Sequence, residues 1–144
     1  MGERLKILFL CTGNSCRSQM AEAWARHLRG GDIDAVSAGT ETHGLNGNAV
    51  KVMAEAGVDI SEARSKDVSE FLATPFDYVV TVCDSARETC PFFPGAGKVV
   101  HAGFDDPPAL AKGIEDEEAK LDIYRRVRDE IRRFVEGIPG NLEG

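Results

Sequence analysis

The sequence predicts an α/β fold, a four-stranded parallel open sheet with helices on both faces, formed by a single domain over residues 1–144. Three observations predict it. Short continuous apolar runs recur along the chain, as in strands buried on both faces. Segments of helical character stand between them, and that alternation implies parallel strands joined by crossover helices. Glycines close several of the helical segments. The length of 144 residues fits one domain. A domain of that size buries roughly 70% of its unfolded surface, so its core does not depend on disulfides.

The elements follow in order. Lys6-Ile7-Leu8-Phe9-Leu10 is the first buried strand. Ser18 to Arg29 is rich in helix formers and is stopped by Gly30 and Gly31. Ile33 to Val36 reads as a second strand, ended by Gly39. Asn48 to Ala56 reads as a helix stopped by Gly57, and Ser65 to Leu72 as a shorter one. Tyr78 to Val82 and Lys98 to His101 complete the sheet. Gly103 to Gly113 is the one long irregular stretch, and long loops are often functional. Glu115 to Val135 is a long amphipathic helix with Leu121, Tyr124, Val127, Ile131 and Phe134 on one side. Its arginines, Arg125, Arg126, Arg128, Arg132 and Arg133, read as a solvated face with carboxylate partners, and Trp24 as a core residue. After Gly137 a frayed tail is expected.

Charge and composition narrow the function. A net charge of −7 argues against a nucleic-acid partner. Apolar runs such as Leu8 to Cys11 are far too short to span a membrane. The opening residues lead straight into a strand and carry no secretory signal, so a cytoplasmic, reducing compartment is expected. Four cysteines in that setting point to catalysis or metal binding more than to structure. A monomer is expected. His27, His43 and His101 lack ligand-like spacing, and no metal site is assigned.

Sites in an open parallel sheet form at the carboxyl ends of its strands. The first strand ends at Cys11, the third at Cys83, and the fourth leads to Asp105 and Asp106. These positions should share one edge.

Cys11-Thr12-Gly13-Asn14-Ser15-Cys16-Arg17-Ser18 joins the first strand to the first helix. Five residues between Cys11 and Arg17 suffice to wrap the backbone into a ring with its N–H groups inward. Such a nest, formed by Thr12, Gly13, Asn14, Ser15, Cys16 and Arg17 at a helix N-terminus, binds a tetrahedral oxyanion. Arg17 adds a bidentate fork. The positive field is expected to lower the pKa of Cys11, and Ser18 to donate to its thiolate. Gly13 permits close backbone approach, and Asn14 tolerates a left-handed conformation.

The run Cys-Thr-Gly-Asn-Ser-Cys-Arg-Ser-Gln-Met-Ala-Glu after an apolar strand, with a later Asp-Pro, resembles the low-molecular-weight tyrosine phosphatase superfamily. The likeness extends over nearly the whole chain in element order. It implies Cys11 as nucleophile and Asp106 as general acid. Asp105 competes for the latter role, but only Asp106 directly precedes Pro107.

Cys83 and Cys90 bracket Cys-Asp-Ser-Ala-Arg-Glu-Thr-Cys, followed by Pro91. Zinc sites usually show tighter pairs with further ligands nearby. Two buried structural thiols are another reading. A redox pair is the third, because Cys83 shares an edge with Cys11. The pair, with Thr-Val-Cys-Asp before it and Cys-Pro at its end, resembles the thioredoxin-coupled arsenate reductases of the superfamily. Phosphatases of this type usually carry an aromatic residue after Asp-Pro, where this chain has Pro108.

That resemblance implies attack of Cys11 on arsenate with Asp106 protonating the departing oxygen. A Cys11–Cys83 disulfide then forms as arsenite leaves. Cys90 converts it to Cys83–Cys90, which thioredoxin reduces. No organic cofactor or catalytic metal is implied, and arsenical detoxification is the expected setting. Cys16 has no step in this scheme. A phosphatase acting on protein tyrosines or small molecules is one alternative, and a non-catalytic oxyanion or thiol sensor is another. The Cys83–Cys90 segment contains helix formers, so its disulfide is expected to require unwinding, since seven helical residues rise about 10.5 Å.

Overall fold

The computed structural model describes residues 4–83 and 97–143. Strand β1 (Leu5–Cys11) lies inside the sheet, between β2 (Ile33–Gly39) and β3 (Tyr78–Thr81), and β4 (Lys98–His101) forms the edge beyond β3. Every pairing is parallel, running Leu5↔Ile33 to Cys11↔Gly39, Ile7↔Tyr78 to Leu10↔Thr81, and Tyr78↔Lys98 to Thr81↔His101. All four strands therefore end on one edge. Ile7, Leu8, Phe9 and Leu10 are all fully buried although successive side chains point to opposite faces, so both faces of β1 are covered. The edge strand differs, with Lys98 and Val99 exposed.

Helix α1 (Arg17–Arg29) packs on β1, β2 and the long helix α4 (Glu117–Glu136). Its buried side carries Met20, Ala21, Trp24 and Ala25, and Trp24 Nε1 donates to Arg128 O at 3.1 Å. Helix α2 (Gly47–Glu55) is capped by Asn46, whose Oδ1 accepts from Asn48 N and Ala49 N, and it too packs on α4. In α4, Leu121, Tyr124, Val127, Ile131 and Val135 form the buried stripe, and each such aliphatic side chain contributes roughly 1.5–3 kcal/mol. Phe134 is half-buried beside them and meets Phe104 edge-to-face at 5.7 Å. Four of the five arginines have carboxylate partners among the described residues: Arg125 with Glu55, Glu118 and Asp122, Arg126 with Asp105 and Glu130, Arg128 with Glu55 and Asp129, and Arg132 with Glu136. Arg128 is not simply solvated, because its side chain is largely buried and donates to Val52 O.

Three expectations need correction. The helix expected over 65–72 is a single 3-10 turn, Val68–Phe71, started by Asp67 Oδ1 accepting from Ser69 N. The stretch 103–113 contains a short helix, α3 (Pro107–Ala111), favoured by the prolines at its start, where a missing N–H costs nothing. The tail does not fray: α5 (Gly140–Glu143) docks with Leu142 buried, and the tail carbonyls of Ile138 and Leu142 accept from Arg29 Nη1 and Lys98 Nζ. Two buried apolar residues, Ile138 and Leu142, in a stretch broken by Pro139 and Gly140 are too few to give a periodic signal, which is why the sequence hid the docking.

Candidate active site

The oxyanion loop hangs from the end of β1 and is tied down from outside. Thr40 N donates to Cys11 O, Glu41 N to Thr12 O, His43 N to Gly13 O and Asn46 N to Ser15 O, at 2.9–3.1 Å. Ser65 Oγ adds a bond to Gly13 O at 2.8 Å. A trans peptide points its N–H away from its C=O. Drawing the carbonyls outward therefore turns the N–H groups of the loop toward the cleft. Gly39 makes this apposition possible, because a Cβ there would stand 2.5 Å from Thr12 O and 2.8 Å from Asn14 N. Only glycine fits.

Asn14 takes the left-handed turn of the loop at φ 48° and is fully buried. Its side chain explains how a non-glycine residue is kept there. Asn14 Nδ2 donates to Ser18 Oγ at 2.8 Å, and Oδ1 accepts from Gln19 Nε2 at 3.0 Å and Lys66 N at 2.8 Å. Ser18 is the acceptor in its bond, so its own proton remains to be donated.

Helix α1 begins differently from α2 and α4. Cys16 occupies its N-cap position and makes no side-chain cap, whereas Asn46 and Asp116 cap the other two. An uncapped helix start next to an N–H nest suits an anion. Arg17 reaches into the same cleft. Its Nη1 donates to Phe104 O at 2.9 Å, and its Nη2 lies 3.5 Å from Asp106 Oδ1. Arg17 Nε is buried with no partner among the described residues. A bound oxyanion would supply the missing acceptor.

Cys11 and Cys83 meet on the cleft floor, close enough for their thiols to interact. Thr12 Oγ1 lies 3.4 Å from Cys83 Sγ. This neighbour opposes the expected lowering of the Cys11 pKa. The neighbouring Cys83 sulfur and then burial push the Cys11 thiol above the ordinary thiol range, against the opposing pull of Arg17 and the Thr12 backbone. The lowering groups stand where the sequence put them, but the second sulfur outweighs them in this arrangement. Cys16 is pushed up to about 12, chiefly by burial, and stays protonated at neutral pH.

The cleft, of about 880 Å³, brings together Cys11, Thr12, Gly13, Ser15, Cys16, Arg17, Cys83, Asp105 and Asp106. The two aspartates part ways there. Asp106 turns toward Arg17, while Asp105 Oδ2 pairs outward with Arg126 at 3.1 Å. Asn14 and Ser18 stand behind the loop as its supports. Cys90 and the segment expected to unwind lie outside the described residues. Sequence reasoning missed the strap from Thr40 to Asn46, Lys66, and the Phe104 carbonyl that orients Arg17. The strap acts through backbone N–H groups, which leave no side-chain signature. Only Gly39 hinted at it.

Comparison with known proteins agrees with this geometry. The model of the low molecular weight phosphotyrosine protein phosphatase family matches residues 6–143. A protein of Halalkalibacterium halodurans named arsenate reductase is 51% identical over 129 residues, covering 90% of this chain and 91% of the relative. An arsenate reductase of Bacillus subtilis is 52% identical, with 87% of this chain and 88% of the relative covered. Among solved structures, an arsenate reductase in its phosphate-binding state superposes with a TM-score of 0.79 at 30% identity, covering 93% of this chain and 95% of that one. This chain belongs to the low molecular weight phosphotyrosine protein phosphatase family.

Proposed function

We propose that this protein reduces arsenate to arsenite, with Cys11 as nucleophile, Asp106 as general acid and Cys83 as the second thiol. The observation that carries the reading is the pair of neighbouring thiols, Cys11 and Cys83, on the floor of an oxyanion loop. A phosphatase needs one thiol there. Reduction by two electrons needs two. The relatives named arsenate reductase support the same substrate.

Loss of one proton from the thiol pair to solvent, with the other proton held on Cys83, leaves the charge on Cys11, beside Arg17. The Cys11 thiolate attacks arsenic held by the loop N–H groups and Arg17. Asp106 protonates the departing oxygen. Cys83 then attacks the Cys11 sulfur, its proton passes to an arsenic-bound oxygen, the electron pair of the Cys11–arsenic bond passes to arsenic, and arsenite leaves. The two thiols have become one disulfide, which balances the reduction of As(V) to As(III). Cys90 attacks Cys83 in turn, and a thioredoxin reduces the resulting Cys83–Cys90 disulfide by thiol exchange. Ser18 donates to the Cys11 thiolate. The loop and the acid would also hydrolyse activated aryl phosphates slowly. Pro108 on the rim offers no aromatic wall for a phosphotyrosine ring.

The test is arsenite release with thioredoxin, its reductase and NADPH, set beside hydrolysis of para-nitrophenyl phosphate. Cys83→Ser should lose arsenate turnover and keep slow ester hydrolysis. Equal survival of both activities would refute the redox role of Cys83.

A further inference from the structure

Behind the oxyanion loop, away from the thiols, lies a buried ion pair that the mechanism does not use. Glu22 of α1 is 8% exposed. Its Oε1 accepts from Ser37 Oγ at 2.8 Å and lies 3.4 Å from Lys66 Nζ. The Lys66 side chain is only 14% exposed, and its ammonium also donates to Arg64 O at 3.0 Å. Arg26 reaches the other oxygen of Glu22, at 3.4 Å, from a side chain that is 61% exposed. Lys66 is thus the sheltered cation of the group.

The backbone of the same residue holds the loop. Lys66 N donates to Asn14 Oδ1 at 2.8 Å, and Lys66 O accepts from Gly39 N at 2.8 Å. Asn14 is the left-handed residue on which the curl of the loop depends, and Gly39 is the glycine against which the loop packs. One residue therefore ties a buried carboxylate to the two positions that shape the anion nest. A buried carboxylate without its cation is costly, and the side chain would be drawn out toward water. Movement of residue 66 would release Asn14.

We propose that Lys66 is a positioning residue whose ammonium acts as an internal cation, clamping residue 66 to Glu22 and so fixing Asn14 and the oxyanion loop. The proposal deepens the reading of the loop as an oxyanion site but concerns only how the loop is held. Loss of the charge should weaken oxyanion binding at a distance, with Cys11, Arg17 and Asp106 unaltered. A small alkylammonium ion entering the space left by a shortened side chain should restore the clamp.

The experiment measures binding of inorganic phosphate by calorimetry and amide exchange over residues 12–18. Wild type, Lys66→Arg, Lys66→Met and Lys66→Ala are compared at one ionic strength, with methylammonium or tetramethylammonium chloride as the salt. Lys66→Met, which keeps the apolar stem, should bind phosphate at least about tenfold more weakly, the usual scale for support around a site. Its loop amides should exchange faster. Lys66→Arg should stay near wild type. Lys66→Ala should recover in methylammonium but not in tetramethylammonium, and wild type should not distinguish the two salts. Wild-type affinity and loop exchange in Lys66→Met would overturn the proposal, as would equal responses of Lys66→Ala to both salts. If wild type bound no phosphate, the oxyanion reading would fail, and loop exchange would still decide the role of Lys66.

Discussion

Asn14 and Ser18, which support the floor of the cleft, have no exposed surface, whereas the Asp106 side chain on the rim is 44% exposed. The floor is fastened by backbone bonds from Thr40, Glu41, His43 and Asn46 and by the side chains of Ser65 and Gln19. The rim carboxylate is held toward the site by one ion pair of 3.5 Å. The difference follows from the work each must do. A floor that stabilises charge is effective only if its dipoles are already in place. A rim that delivers a proton must give way between steps. Changes in the floor should therefore act on binding and attack together, and changes in the rim on turnover alone.

The comparison is broken most severely at the nucleophile. Cys11→Ser should reduce arsenite release to background, because an alcohol at neutral pH is a far weaker nucleophile. Steady-state arsenite production by this variant would remove Cys11 from its role. Asp106→Asn comes next. The turnover number should fall by roughly 100- to 10,000-fold with little change in oxyanion affinity. Asp105→Asn should do much less, since that carboxylate faces Arg126; the reverse ranking would exchange the two.

A floor change of similar kind is Arg17→Lys. It keeps the charge and loses the fork, and should cost about 100-fold or more in turnover together with weaker phosphate binding. Weakened turnover with unchanged binding would make Arg17 behave like a rim residue. The smallest effect concerns Cys83→Ala. Cys83 raises the Cys11 pKa, so its removal should lower it. The midpoint of iodoacetamide alkylation of Cys11 should then move to lower pH. A midpoint that stays or rises would contradict the coupling of the two sulfurs.

The sequence was most informative where chemistry and backbone coincide. Apolar runs gave the strands, and the strand-end rule brought Cys11, Cys83 and Asp106 to one edge, where they are found. It was silent where one group acts through another. The strap at 40–46 works through N–H groups that any residue supplies. Lys66 is one lysine among many until Glu22 is seen beside it. Arg17 and the helix start argued for an acidic Cys11, but the sign of its shift depends on the position of the Cys83 sulfur, which no spacing specifies.

The account turns on two thiols acting in succession at one oxyanion, and a single turnover of the Cys90→Ser variant tests that most directly. The reduced protein is mixed with one equivalent of arsenate and no external thiol, then quenched with acid and digested for mass spectrometry. The account predicts one arsenite released per chain and a disulfide joining Cys11 to Cys83. Release of arsenite with both thiols still free, or with Cys11 joined to Cys16 instead, would contradict it.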